Sequence, residues 1–324
     1  MTSEQTSRVL PADTRLRAPV TVLWRELRGG PVVLNTKSGR YFHLTGSTAA
    51  VWRSIDELHV LSLVIERVAD AYGQPGHAIE REVLEFVTTA LDEGVLEFDR
   101  RIDGPPASPS GREGVLELGQ SGLTVVGDLA PLHAAFERQH YVSFPQLIEP
   151  SVRDVVEASI RSGQFVDRTH EGIGTEQCLA PGVATSALQL IFNDPALFDV
   201  VGRIAGSAPV RSFDGRVYRM VAAAGHYDSW HSDAGKARLV AMSVNLSAKP
   251  YEGGLLEIRD ASSTAADHVV PRVPFGGAVM FRISPTLRHR VTPVRGARSR
   301  TAFAGWFCSS PDFQEAFFAS LATA

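Results

Sequence analysis

The 324-residue chain has two cysteines, Cys178 and Cys308, no apolar run long enough for a signal-peptide core or a membrane span, and no marked excess of either charge. Each scarcity removes a class of protein. Two isolated cysteines build neither a disulfide scaffold nor a cysteine zinc site, and they read as small buried hydrophobes. Without an apolar run the expectation is a cytoplasmic protein with no membrane partner. The net charge is -4, with lysines and arginines scattered rather than massed on one element. That is not the electrostatic footprint of a duplex binder, so nucleic acid is not an expected partner.

What remains is ordinary for a folded protein: 44% hydrophobic and 21% charged residues, far from the composition of disorder. The length suits about two domains at roughly 150 residues each. Residues 99–114, "DRRIDGPPASPSGREG", mix proline, glycine, serine and charge without apolar periodicity. They read as a linker between a domain over 15–98 and another over 115–324.

In the first domain "VTVLWREL", "PVVLN" and "RYFHL" are short β-rich runs, the last two joined by "TKSG", which suits a hairpin loop. Three helical patterns follow, carried by Ala49, Trp52 and Ile55, by Val60, Val64, Val68 and Ala71, and by Ile79, Val83, Phe86, Val87, Ala90 and Leu91. Gly94 stands where a helix-terminating glycine belongs. Three strands then three helices make a winged-helix-like module.

The run "VLNTKSGRYFHLTGSTAAVW" followed by "EFVTTALDEGVLEF" resembles the PqqD family from about Pro19 to Phe98. The resemblance implies a recognition element for the leader segment of a ribosomally made precursor peptide. The peptide would lie as an added strand beside Arg40, Tyr41, Phe42, His43 and Leu44 and against the third helix at Val83 and Phe86. A purely structural or dimerising winged helix is the plainer reading of the same residues.

The second domain opens with helical patterns around Ala130–His140 and Pro150–Arg161 and then turns strand-rich, from "GRVYRMVAAAG" to "RTAFAGWF". Strands of this length punctuated by glycine and proline suggest a two-sheet jelly roll, a double-stranded β-helix with flanking helices, so the whole chain is expected to be α+β. The C-terminal pattern Phe313, Phe317, Leu321 has helical spacing and suits internal packing.

The stretch "GHYDSWHSDAG" concentrates two H-x-D pairs, His226 with Asp228 and His231 with Asp233. On a strand, residues two apart share a face, so either pair can present an imidazole and a carboxylate to one ion. His289, in "LRHRVTP", supplies a third ligand if its strand is a neighbour. Two histidines and a carboxylate on one face of an octahedron leave three positions open. Spacing alone does not choose between the pairs.

The order glycine, H-x-D, glycine pair, distal histidine and arginine, in "GHYDSWHSDAG", "YEGGLLEI" and "HRVTPVRGARSRTAFAGWF", is similar to the iron(II) and 2-oxoglutarate dependent oxygenases of the prolyl-4-hydroxylase type, over most of residues 140–310. The resemblance implies His231, Asp233 and His289 as ligands, with Fe(II), 2-oxoglutarate and O2 as cofactor and cosubstrates. The far carboxylate of 2-oxoglutarate calls for an arginine fork. Arg300 is in phase with Ala302, Ala304 and Trp306, and Arg298 shares that parity nearer the turn. Asn245, on one strand face with Ser243, is a candidate pocket hydrogen bond or an ordinary edge residue, and Tyr218 and Trp230 are candidate walls. Together the two resemblances imply a hydroxylase acting on a precursor peptide. A free amino acid or small metabolite as substrate, and a non-catalytic peptide scaffold, are the alternatives.

Overall fold

The computed structural model describes residues 10–100 and 115–321, and the chain divides into two compact units, one on each side of the stretch between. From position 101 onward the expected linker lies outside the described residues.

The first unit runs β1 (Leu16–Arg17), β2 (Val22–Leu27), β3 (Gly30–Asn35), β4 (Arg40–His43), α1 (Gly46–Leu58), α2 (Leu61–Tyr72), α3 (Gly76–Asp92) and β5 (Glu97–Phe98). β2, β3 and β4 form an antiparallel sheet in that order, and β1 pairs with β5. The helical spacing read from the sequence lands in one core, where Trp52, Ile55, Val64, Val68 and Val87 meet Val22 and Trp24 of β2. Trp24 and Trp52 pack edge to face, 6.3 Å between centroids. Gly94 sits beyond α3 at φ +65, where its missing Cβ removes the penalty of a left-handed stop.

One expectation is corrected in this unit. Val83 is fully buried among the helices and offers no side-chain surface to a peptide, whereas Phe86, one turn along α3, is only partly buried. The apolar stripe that marks a helix in the sequence is mostly core, and a valine at its centre belongs to the core.

In the second unit β6 (Val115–Leu118) and β7 (Leu123–Val126) make a hairpin, followed by α4 (Ala130–Gln139), β8 (Tyr141–Phe144), α5 (Pro150–Arg161), a second hairpin of β9 (Phe165–His170) and β10 (Gly174–Leu179), then α6 (Val183–Phe192) and α7 (Pro195–Ala205). The remainder is mainly strand: β11 (Ser212–Met220), β12 (Tyr227–Asp228), β13 (Arg238–Asn245), β14 (Glu252–Gly253), β15 (Leu256–Asp260), β16 (His268–Val269), β17 (Ala278–Arg282), β18 (Leu287–Val291), β19 (Val294–Arg295) and β20 (Arg300–Cys308), ending in α8 (Phe313–Leu321). The large sheet has the order β12-β10-β11-β20-β13-β17-β8, with β9 on the far side of β10. A small sheet, β16-β15-β18, and the ribbon β14-β19 complete an antiparallel jelly roll.

Strand periodicity divides the labour of the large sheet. Odd residues of β11 and β20, among them Phe213, Val217, Phe303 and Phe307, are buried against the helices. Phe303 lies 5.1 Å from Phe192 of α6, and Phe213 lies 4.6 Å from Phe307. Asn193, fully buried at the end of α6, accepts from Phe213 N at 2.7 Å and donates to Phe213 O at 3.1 Å, which ties helix to strand. Even residues of the same strands, Asp214, Arg216, Tyr218, Arg300, Ala304 and Trp306, line a cavity of about 530 Å³. Among the described residues no helix is long and apolar enough to cross a membrane.

Phe303→Ala removes a ring packed between two other rings. The expected cost is ~3–5 kcal/mol of stability, read as a lowered midpoint in chemical denaturation of the full chain.

Candidate metal centre

The centre begins with a backbone event. β18 lies between β15 and the segment around His231, with His289 opposite Ile258 on one side. On the other side His231 N donates to His289 O and His289 N donates to His231 O, each at 3.0 Å. This reciprocal pair puts two residues that are far apart in sequence directly opposite one another. Their rings lie 4.3 Å apart. His231 forms a single bridge rather than a strand, and Asp233 lies just past it in irregular chain, so the strand expected for "HSD" is reduced to one residue.

Ligand atoms of His231, Asp233 and His289 all lie within 4.8 Å of one another. Asp233 Oδ2 is 3.2 Å from His289 Nε2, and Asp233 Oδ1 is 3.7 Å from His231 Nε2. His231 Nδ1 sits 2.7 Å from Ser229 O and 3.3 Å from Asp228 Oδ1. With Nδ1 donating to that carbonyl, the Nε2 lone pair is left facing Asp233, which is the orientation a metal requires. Phe281 of β17 supports His289 edge to face at 5.0 Å. Burial works to raise the Asp233 pKa, but the hydrogen bond and charge of His289, the indole N–H of Trp306 and the charge of His231 outweigh it and bring it to about 2. Trp306 Nε1 donates to Asp233 Oδ2 at 2.8 Å, so the carboxylate is held ionised and oriented. Two imidazole nitrogens and one carboxylate oxygen, converging and each braced, fit an iron(II)-type ion with open positions.

The rival pair is used elsewhere. His226 Nδ1 accepts from Val221 N at 3.0 Å, closing its own turn. Asp228 Oδ2 accepts from Val291 N at 2.9 Å, and burial raises its pKa. It thus ties β12 to β18 behind His231 rather than joining a second site.

Arg300 lines the same cavity. It is 7% exposed, donates Nη1 to the Tyr218 hydroxyl and Nη2 to Ser243 Oγ at 3.2 Å, and also interacts with Tyr251. Burial opposes its charge, but the two tyrosines outweigh burial and raise its pKa, so it stays a cation. Gly254, at φ +63, makes room for it: a Cβ there would stand 2.8 Å from Arg300 Cδ and 3.0 Å from the Tyr251 ring. A buried guanidinium in the lining of a small cavity suits a carboxylate.

Arg298 is exposed in the loop before β20, outside the cavity, because the strand that would have kept it in phase with Arg300 starts only at Arg300. Asn245 lines the cavity, but its amide donates to Val273 O at 2.9 Å and accepts from Ser247 N at 3.0 Å, so it holds loops together. Trp230 stacks under the guanidinium groups of Arg259 and Arg290. Sequence reasoning missed Tyr251, which lies outside the periodic strands, and the hairpin residues Glu176 and His170, which no spacing linked to the site.

Two stretches of the chain match known families. Residues 215–308 match the 2OG-Fe(II) oxygenase superfamily, and residues 30–96 match coenzyme PQQ synthesis protein D (PqqD). No curated protein matches the chain. Similar solved structures include a 2OG-Fe(II) oxygenase family oxidoreductase from Burkholderia pseudomallei, with 16% identity, TM-score 0.44, and coverage of 57% of this chain and 93% of that one. A prolyl-4-hydroxylase from Pseudomonas putida is similar at 18% identity and TM-score 0.44, covering 57% of this chain and 100% of its own. A prolyl hydroxylase from Trichoplax adhaerens, solved with a hypoxia inducible factor peptide fragment, has 16% identity and TM-score 0.44 over 56% of this chain and 91% of its own. The protein is an oxygenase with a PqqD-like domain, and the superfamily uses Fe(II), 2-oxoglutarate and O2.

Anaerobic calorimetry with Fe(II) separates the two H-x-D pairs. His231→Ala or Asp233→Ala is expected to abolish binding while His226→Ala retains it, and the reverse pattern would move the centre. Trp306→Phe, which removes the donor to Asp233, is expected to weaken metal binding about tenfold.

Proposed function

We propose that this oxygenase hydroxylates a residue of a ribosomally made precursor peptide, whose leader is captured by the PqqD-like domain over about residues 15–98 and whose core is modified by the domain over about 115–324. The observation that carries the catalytic half is one cavity lined both by the His231, Asp233 and His289 trio and by the buried Arg300. Iron bound by that trio supplies oxidising chemistry, in which O2 and 2-oxoglutarate are consumed, CO2 and succinate leave, and a substrate C–H becomes C–OH. Arg300, held by Tyr218 and Ser243, takes the far carboxylate of 2-oxoglutarate and fixes its direction. Ala304, on the same strand face and in the cavity lining, leaves space in which that cosubstrate extends.

Support for the peptide half comes from the match of residues 30–96 and from the end position of β4 in the order β2-β3-β4. An extended segment adds to such a strand through backbone hydrogen bonds, with Phe42 and Phe86 as partly buried apolar neighbours. Capture of a leader raises the local concentration of the attached core, so the catalytic cavity can bind its target residue weakly and still turn it over.

With the full chain, Fe(II) and 2-oxoglutarate, succinate formation is the expected readout. Arg300→Gln removes a buried charge partner worth about 2 kcal/mol, so the KM for 2-oxoglutarate should rise on the order of 30-fold with a smaller change in kcat. A labelled leader peptide from a precursor gene beside this one is expected to bind the full chain, and Phe42→Ala should weaken it about tenfold or more. Failure of every neighbouring precursor to bind would remove the peptide half.

A further inference from the structure

The segment that carries His231 is joined to β18 by very little main chain. Among the described residues its backbone bonds to β18 are the reciprocal pair between His231 and His289, each at 3.0 Å. The flanking groups go elsewhere: Ser229 N donates to Ile173 O at 2.8 Å, and Ala234 N donates to Ser232 Oγ at 3.2 Å. A ladder of one rung frays readily, because no adjacent rung shares the cost of ordering the chain. Both histidines of the centre depend on the register of that rung, so something besides two hydrogen bonds has to fix it.

The outer face of the small sheet supplies the fixing. Residues that flank an opposed antiparallel pair also face each other, and their side chains leave from the opposite side. Trp230 and Arg290 flank the two histidines in this way, and the Arg290 guanidinium lies over the Trp230 ring, 4.7 Å from its centroid. Arg259 lies over the same ring at 4.4 Å. Each guanidinium is itself tied down. Arg290 Nε donates to Glu257 Oε2 at 2.8 Å, with Glu257 directly opposite on β15, and Arg259 Nη1 donates to Thr264 O at 2.9 Å. Arg259 Nε is sealed from water and has no hydrogen-bond partner, which leaves the indole face to meet its charge. Trp230 is half-buried and does not line the cavity, so the ring is not placed to touch a ligand in the pocket.

We propose that Trp230 is a positioning residue for the metal centre: with Arg259 and Arg290 over its ring, it locks the single His231–His289 rung from the outer face and so holds the two imidazoles at their 4.3 Å separation. A slip of one residue at that rung would carry Trp230 to the cavity side and turn His231 outward. The stack opposes the slip, because an aromatic face drawn to two anchored cations loses both when it moves. This role rests on the oxygenase reading above, and it extends the centre to a cluster on the far side of the small sheet that touches neither metal nor cosubstrate.

The test compares the full-length wild type with Trp230→Leu, Trp230→Phe and Arg259→Met. Amide hydrogen exchange is followed by mass spectrometry on the metal-free protein, and Mn(II) dissociation constants are measured by equilibrium dialysis. Trp230→Leu keeps an apolar side chain without a ring face. Exchange should speed by about tenfold or more in the segments that carry His231 and His289 while β11, β13 and β20 stay as in the wild type. Mn(II) should bind about tenfold more weakly, the scale of losing an outer support to a ligand. Trp230→Phe restores a ring and should recover most of both losses. Arg259→Met keeps the apolar stem without the cation and should show both losses in smaller degree, which keeps the role testable if Trp230→Leu does not fold. A tryptophan that only stabilises the fold would speed exchange throughout the second unit and leave Mn(II) affinity where it was. That pattern, or unchanged exchange at the two histidine segments, would overturn the role. If the wild type binds no Mn(II) while exchange responds as described, the oxygenase reading falls and the locked rung stands.

Discussion

Two backbone hydrogen bonds between His231 and His289 are the constraint on which the centre depends. Each histidine alone is an ordinary residue, one in a short strand of the small sheet and one in a nearly irregular stretch after β12. Pairing their main chains fixes both rings at once, because directly opposed residues project their side chains from a common line. The remaining parts are braces on that pair: Ser229 and Asp228 on the far nitrogen of His231, Phe281 against His289, and Trp306 on Asp233. A centre built this way is positioned by the sheet before any ion arrives, which is the economy of ligands carried on regular structure.

The large sheet explains how a cavity and a core coexist a strand's thickness apart. Along β11 and β20 a period of two sends phenylalanines to the helices and polar groups to the cavity. A slip of one residue in that register would exchange Arg300 for Thr301 and Trp306 for Phe307. The phenylalanine packing that stabilises the fold is therefore also what holds Arg300 and Trp306 on the reacting side.

Much of this was legible in the chain. The helices of the first unit follow from Trp52, Ile55, Val64, Val68 and Val87 at helical spacing, since a stripe that wide has to be buried. The longer strands from β11 onward were also readable as strand-rich runs punctuated by glycine and proline. What escaped was of two kinds. The hairpin of β9 and β10 and the helices α6 and α7 went unassigned, the hairpin because "FVDRTH" is largely exposed and lacks apolar alternation. Roles set by three-dimensional partners escaped too: the amide of Asn245 looks free in sequence and is committed to Val273 and Ser247, and Arg298 shares the parity of Arg300 yet lies before the strand begins. The two H-x-D pairs are alike in spacing and differ in the partner across from each, Val221 and Val291 for one and His289 for the other.

Asp233 stands apart from the two histidines in how it is tethered. It takes part in no strand ladder, and what aims its carboxylate is the Trp306 indole and the nearby guanidinium of Arg238, itself stacked 3.5 Å over the Trp306 ring. Exchange of that one acidic arm would leave the sheets undisturbed, whereas any shift at either imidazole drags main chain with it. In such an architecture the anionic member of the trio is the tunable one: drift in a lineage could recast the reactivity of the pocket there while the scaffold stayed the same.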